Sequence, residues 1–111
     1  MTVFNILHEA PAAQPEKKRP SVKRLLQGDG ANLIAFTFSP GQSLPDHRSA
    51  HPITVTAFSG QLTFSYGDET HMLNPGVTVH LDAHITHRVD CPEDSTDNAV
   101  MLLTMLTGEK H

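Results

Sequence analysis

The chain has 111 residues, a length that fits one domain with one hydrophobic core. Its formal charge is −4 with the histidines neutral, and its eight Lys and Arg residues are scattered along the sequence. Nucleic-acid binding is therefore not expected, because it normally needs a basic face. The lone cysteine, Cys91, excludes an internal disulfide. We expect it to be a small buried residue.

Membrane association is not expected either. The sequence contains no apolar run near the roughly 18 residues that span a bilayer. Its first residues also lack the basic and apolar regions of a signal peptide. We therefore predict a cytoplasmic protein.

Short segments in which apolar and polar residues alternate, interrupted by Gly and Pro, are typical of β-strands. The predicted strands are residues 3–7, 21–27, 31–39, 53–59, 61–66, 69–73, 77–81, 86–91 and 99–106. No amphipathic helix is evident, so the predicted fold class is all-β, a sandwich or barrel. The last segment, AVMLLTML, is nearly all apolar. This predicts burial on both faces or contact with a partner chain, and we expect a homodimer.

Histidine is unusually frequent, with eight in the chain, and six of these lie in the stretch 47–87. His8 and His111, near the ends, are given no functional role. His87 shares strand parity with Val89 and Cys91, and this parity predicts that its imidazole points into the interior.

The first two histidines of this stretch, His47 and His51, have the same parity and could both face the interior. Along a straight strand, four residues span about 13 Å, near the limit for two imidazoles to reach one ion. Pro52 predicts a bend that brings the rings closer. His84 lies in a predicted turn and is expected at the rim of the same pocket, whereas His80 shares a polar face and is expected outside.

The segment PGQSLPDHRSAHPITVTAFSGQLTF, residues 40–64, resembles the first cupin motif. Gly41, His47 and Gly60 fall on that pattern. The resemblance implies a cupin double-stranded β-helix, which is a jelly-roll-like antiparallel barrel.

A second segment, LNPGVTVHLDAHITHRV, resembles the second cupin motif at its Pro75-Gly76 turn and at His87. With the flanking strands, the resemblance covers residues 31–107. We predict one cupin domain over residues 1–111, with residues 1–30 as N-terminal edge strands and loop and residues 31–107 as the barrel core.

Cupins typically hold Fe, Mn, Ni, Zn or Cu with two histidines and one glutamate from the first motif and one histidine from the second. Carried over by position, His47 and His87 keep their roles, Ser49 replaces the second histidine and Ile53 replaces the glutamate. Neither replacement is a good ligand for these ions. His51 is the predicted substitute, which gives the metal set His47, His51 and His87, with Ser49, Ile53 and His84 as further pocket residues.

Two functions remain open at this stage. The first is a metal-dependent enzyme, such as an oxygenase or isomerase, that acts on a small organic molecule with Zn, Fe, Ni or Cu. The second is a non-catalytic module that binds or senses a small ligand without a metal. No glycine-rich phosphate loop is present, so no nucleotide cofactor is predicted.

Overall fold

The computed structural model describes residues 1–108, and His111 lies outside the described residues. The all-β prediction is confirmed: nine strands and one helical turn make up the regular structure of this part of the chain. The elements are α1 (Ile6–Glu9), β1 (Ser21–Gln27), β2 (Ala31–Phe38), β3 (Ser43–His47), β4 (Ile53–Ser59), β5 (Leu62–Tyr66), β6 (Glu69–Leu73), β7 (Thr78–Leu81), β8 (His87–Asp90) and β9 (Ala99–Leu106).

The strands form two antiparallel sheets. One has five strands in the order β1-β2-β9-β4-β7, and the other has four in the order β3-β8-β5-β6. Because β3 and β4 lie in different sheets, and β6 and β7 do too, the chain crosses from one sheet to the other between these neighbours. The sheets pack face to face and enclose the core.

Side chains from the inner faces of both sheets fill this core. Strand β4 shows the expected alternation, with every second residue buried from Ile53 to Ala57. The largest fully buried side chains are Phe38, Phe64, Ile53, Leu62, Leu73, Met101, Val55 and Val89. Cys91 is buried as well, as predicted.

The apolar composition of strand β9 matches its central, buried position in the fold. It lies between β2 and β4, in the middle of the five-stranded sheet. Ala99, Val100, Met101 and Leu103 are buried there within a single chain. The apolar sequence therefore does not require a partner chain, and the homodimer stays a prediction.

The predicted strand at residues 3–7 is wrong, because a helical turn begins at Ile6. The Asn5 side chain caps this turn by accepting a hydrogen bond from the His8 N–H at 3.2 Å. The Glu9 carboxylate accepts the Asn5 N–H, also at 3.2 Å. These local side-chain bonds to the backbone favour a helical turn over an extended strand. Within residues 1–108, no helix is long and apolar enough to cross a membrane.

Strand β3 was not among the predicted strands. Its sequence, SLPDH, contains a proline and is mostly exposed, so it lacks the apolar alternation of a half-buried strand. It nevertheless pairs with β8 at the edge of the four-stranded sheet, where a proline is tolerated. This strand ends at His47, one of the predicted metal ligands.

Candidate functional site

His47 and His87 form the centre of the candidate site. They are cross-strand partners in the pairing of β3 with β8, directly after an irregularity in the register that follows Leu44. Their imidazole ring centroids lie 4.4 Å apart, with the ring planes tilted by 58°. Two imidazoles this close can reach a common ligand.

Both rings are oriented by the backbone in the same way. Nδ1 of His47 lies 2.9 Å from the Pro45 carbonyl oxygen, and Nδ1 of His87 lies 2.9 Å from the Ile85 carbonyl oxygen. A carbonyl oxygen only accepts hydrogen bonds, so Nδ1 carries the proton in each ring. The lone pair of each neutral ring is then on Nε2, which is the arrangement found in metal-ligating histidines.

His87 is buried, with 3% of its surface exposed. Its ring stacks on Phe64 at a centroid distance of 5.3 Å and an interplanar angle of 11°. Burial lowers the pKa of His87 below its ordinary value, the hydrogen bond to the Ile85 carbonyl partly opposes this, and the electrostatic effect of His47 adds the smallest contribution, a further lowering. The interior position that strand parity predicted is confirmed, and the environment favours the neutral imidazole.

The start of β3 is held by buried hydrogen bonds. The side-chain carbonyl of Gln42 accepts the Ser39 N–H at 2.7 Å, and its amide donates to the carbonyl oxygens of Gln14 and Lys17 at 2.8 and 2.9 Å. The backbone carbonyl of Gln42 accepts the Cys91 N–H at 2.9 Å. Gln42 thus ties the N-terminal segment to the strand that carries His47.

A cavity of about 420 Å³ opens beside the two imidazoles. We call it the histidine pocket. Residues from both sheets line it, and its walls are mainly apolar: Ile34, Phe36, His47, Arg48, Ser49, Ala50, His51, Ile53, His87, Leu103 and Met105. Of the residues predicted to form the site, the structure brings His47, Ser49, His51, Ile53 and His87 to this one pocket. Its volume lies within the range of small-molecule sites.

His51 reaches the pocket by a different route from the one predicted. The parity argument assumed an extended run from His47 to Ile53, but the chain changes sheets between β3 and β4. His51 therefore lies on the connection, where its N–H donates to Ser49 Oγ at 3.1 Å. Among residues 1–108, no group of three His, Cys, Asp or Glu side chains is placed to hold a metal ion. The three-histidine set stays a prediction.

His84 has a backbone role near the pocket. Its φ is +68°, an uncommon conformation for a residue other than glycine. Its N–H donates to the Ser49 carbonyl oxygen at 2.7 Å, which ties the turn after β7 to the connection that carries His51. The His84 side chain is exposed and is not part of the pocket lining. The backbone of His84, and not the imidazole that was predicted at the rim, therefore contacts the segment beside the pocket.

Two residues of the site were missed at the sequence level. Arg48 contributes a positive charge to the pocket lining, but nothing in its sequence neighbourhood distinguishes it from a solvated arginine. Phe64 lies on a predicted strand, but its stacking on His87 joins residues that are distant in the sequence. Ile53, which was predicted to replace the glutamate of the first cupin motif, is 2% exposed and packs in the core.

The chain belongs to the cupin family, because the family profile described as Cupin domain matches residues 35–105. The predicted resemblance is thereby confirmed. Comparison with curated proteins gives no significant match.

Several solved structures share the fold. A conserved protein with a double-stranded β-helix domain from Klebsiella pneumoniae has a TM-score of 0.80 at 15% identity, covering 100% of this chain and 94% of that one. A conserved protein of unknown function from Streptococcus pyogenes has a TM-score of 0.76 at 23% identity, covering 98% and 90%. An RmlC-like cupin protein from Desulfovibrio desulfuricans has a TM-score of 0.74 at 21% identity, covering 93% and 95%. At these identities the similarity supports the double-stranded β-helix fold alone.

Proposed function

We propose that this cupin binds a divalent transition metal ion through Nε2 of His47 and Nε2 of His87. The observation that carries the proposal is the pair of cross-strand imidazoles, 4.4 Å apart, each with Nδ1 tied to a backbone carbonyl. Fixing Nδ1–H in this way selects the tautomer that presents Nε2 and raises its basicity. Neutral imidazole is a good ligand for Zn, Cu, Ni and Fe.

His51 is the proposed third ligand, since it lines the same pocket. It lies on the connection between β3 and β4 rather than inside a strand, and a connection can adjust more readily than a strand ladder. Three imidazoles with an open position are a donor set used by catalytic zinc sites. A bound ion would supply Lewis-acid or redox chemistry, as the proposed oxygenase or isomerase activity needs.

The histidine pocket would hold a small organic molecule next to these imidazoles. Ile34, Phe36, Leu103 and Met105 provide apolar walls, and Arg48 provides a positive charge. We therefore propose a ligand with an apolar body and an anionic or strongly polar oxygen group. This is the ligand class for both functional alternatives.

The second candidate is a metal-free module that binds or senses such a ligand. It is favoured by Ile53, which puts a buried apolar side chain where the family has a carboxylate. In that case His47 and His87 would accept hydrogen bonds from the ligand through Nε2. Metal content separates the two candidates directly.

The test is elemental analysis of untagged protein after incubation with Zn, Fe, Ni or Cu and removal of excess ion. We expect close to one ion per chain in the unaltered protein and a large loss in the His47→Ala/His87→Ala variant. His80→Ala is the matched control, because His80 is exposed and lies outside the histidine pocket. His51→Ala measures the contribution of the third imidazole.

Equal metal content in the double variant and the His80→Ala control would assign the ion to another place. Absence of any stoichiometric ion in the folded, unaltered protein would instead leave the metal-free module. Far-UV circular dichroism of each variant shows that a loss of metal does not come from unfolding.

A further inference from the structure

A second cavity, of about 510 Å³, lies between β6 and β7. Each of these strands is the outermost strand of its sheet. The cavity therefore lies at the open edge between the two sheets, and we call it the β6–β7 cleft. Its lining is Phe64, Tyr66, Glu69, His71, Met72, Val77, Thr78, Val79, His80, Leu81, Asp82 and Ile85.

Inner-face residues of the four-stranded sheet are left open to solvent in this cleft. Phe64 and Tyr66 have the same parity on β5, yet Phe64 is buried whereas Tyr66 is 39% exposed. Glu69 lies opposite Tyr66 and His71 lies opposite Phe64 in the pairing of β5 with β6. Cross-strand partners project on the same side of a sheet. In a closed sandwich these four residues would lie in the core, but here they line one side of the cleft.

Exposed apolar side chains gather at the rim of the cleft. Tyr66, Met72 and Val77 are three of the large exposed hydrophobic residues of the described chain, and all three line it. Below them, Phe64 and Leu81 are buried and form an apolar floor. Isolated exposed apolar residues need no explanation, but a group of them around a concave surface marks a binding site.

The charge of the cleft is negative. Glu69 comes from the four-stranded sheet, and Asp82 follows β7 of the five-stranded sheet, so a carboxylate lies on each side. Among residues 1–108, no Lys or Arg lines the cleft. Two histidines also line the cleft, and Nε2 of His71 is 3.8 Å from Oε2 of Glu69. Such a lining attracts a cation and repels an anion.

We propose that the β6–β7 cleft binds an organic ammonium ion that carries an apolar chain or ring. The apolar part would lie on the Phe64 and Leu81 floor, and the ammonium group would lie between Glu69 and Asp82. The ring of Tyr66 would add a cation–π contact, which aromatic side chains give to ammonium groups. The volume of the cleft is suited to one small molecule.

This site is separate from the proposed metal site, although the two share a wall. Phe64 lines the cleft, and its ring stacks on His87, which lines the histidine pocket. The binding of an ammonium ion does not depend on a metal. Its failure and the failure of the metal proposal are therefore distinguishable.

The chain provides its own reporter for the test. Tyr66 is the single tyrosine, and the sequence has no tryptophan. Intrinsic fluorescence therefore reports on the cleft itself. We would titrate metal-free protein with n-hexylammonium, and with n-hexanol and n-hexanoate as neutral and anionic probes of the same chain length.

We expect a saturable change in Tyr66 emission with n-hexylammonium, weaker binding of the alcohol and weaker still of the carboxylate. Glu69→Gln and Asp82→Asn should each weaken ammonium binding by roughly fivefold, and the double variant should bind the amine and the alcohol equally. Asp68→Asn is the control, because it removes the neighbouring carboxylate outside the cleft lining.

Two results would overturn the proposal. Equal binding of the three probes would show an apolar groove with no charge selectivity. A change in Tyr66 emission with protein concentration alone, matched by dimerisation in sedimentation, would show that a second copy of the chain fills the cleft. Glu69 and Asp82 are exposed, so their variants should remain folded, and circular dichroism verifies this.

Discussion

The histidine pocket and the β6–β7 cleft lie in the same barrel but differ in charge. In the part of the chain that the structure describes, three histidines, one arginine and no carboxylate line the pocket. Two histidines and two carboxylates, but neither lysine nor arginine, line the cleft in the same part of the chain. Their volumes are similar, about 420 and 510 Å³. Size therefore does not distinguish their ligands, whereas charge does.

The difference follows from where the strands lie. His87 is on β8, which has a partner strand on each side, and its imidazole is buried. Burial penalises the charged form of a side chain, so a group at such a position functions as a neutral donor or acceptor. Glu69 and Asp82 lie at sheet edges, where water reaches them and a charge is tolerated. The histidine pocket thus combines a buried imidazole, His87, with the exposed His47 and Arg48, whereas the cleft presents two exposed carboxylates.

Truncation of Phe64, which lies between the histidine pocket and the β6–β7 cleft, should give the largest loss of stability. Phe64 is 2% exposed and contacts the His87 ring. We expect Phe64→Ala to lower the free energy of unfolding by about 4 kcal/mol, through lost burial and a residual cavity. Urea denaturation followed by circular dichroism measures it. Tyr66→Ala, on the same strand face but 39% exposed, is the control and should cost less than about 1 kcal/mol. Equal losses would show that the two side chains are not separated by burial.

The sequence predicted much of this architecture and part of the site. Alternation located β4 at its observed bounds, and pairing back across a hairpin turn located β6. Strand β3 escaped prediction because pairing with β8, rather than its own composition, makes it a strand.

For the site, the inward direction of His87 followed from local parity. The position of His51 could not follow in the same way, since parity is lost where the chain changes sheets. The pairing of His47 with His87 and the stacking on Phe64 join residues far apart in sequence. The β6–β7 cleft was not predicted at all, because its opening depends on how the two sheets diverge.

A carboxylate introduced into the histidine pocket would reduce the difference in charge between the pocket and the β6–β7 cleft. Ile53→Glu puts a carboxylate at the family's glutamate position, on a buried residue. Without metal, we expect a loss of stability on the order of 3 kcal/mol from desolvation of the new charge. With a divalent ion at about 100 times its Kd, binding should restore about 2.7 kcal/mol.

The comparison variant is Ile53→Gln, which has similar size and no charge. It should be destabilised as well, but metal should restore less of its stability. Thermal unfolding with and without Zn measures both variants. Equal restoration in the two would show that the new carboxylate does not contact the ion.

The neutral state of His87 should appear as a pH dependence of stability in metal-free protein. Its pKa in the folded chain is lowered from 6.5, mainly by burial. The unfolded chain therefore binds more protons as the pH falls below about 6.5. We expect full stability above this pH and a decrease below it, until the folded pKa is passed. Denaturation between pH 5 and about pH 8 measures the trend.

His87→Leu removes this titrating group while keeping an apolar side chain in the core. We expect the variant to lose part of the pH dependence in the same interval. His80→Leu is the control, since His80 is exposed. If the two variants keep the same slope, the acid sensitivity comes from groups other than the buried imidazole.

Substitutions of His84, in the turn between the two cavities, should give the smallest change in stability. Asp82 and Ile85 of this turn line the cleft, while the His84 N–H binds the Ser49 carbonyl beside the histidine pocket. Because His84 has a φ of +68°, His84→Gly should relieve backbone strain and raise stability by about 0.5 kcal/mol. His84→Val should lower it by roughly 1 kcal/mol, since a β-branched residue fits this conformation poorly.

Metal content then separates the backbone of His84 from its imidazole. His84→Gly keeps the N–H that holds Ser49 but removes the ring. If only the backbone matters, this variant binds as much metal as the unaltered protein while being slightly more stable. A drop in its metal content would instead make the His84 ring a ligand, which its exposed position outside the pocket lining argues against. If only the backbone of His84 matters, His84→Gly therefore combines a small gain in stability with an unchanged metal content.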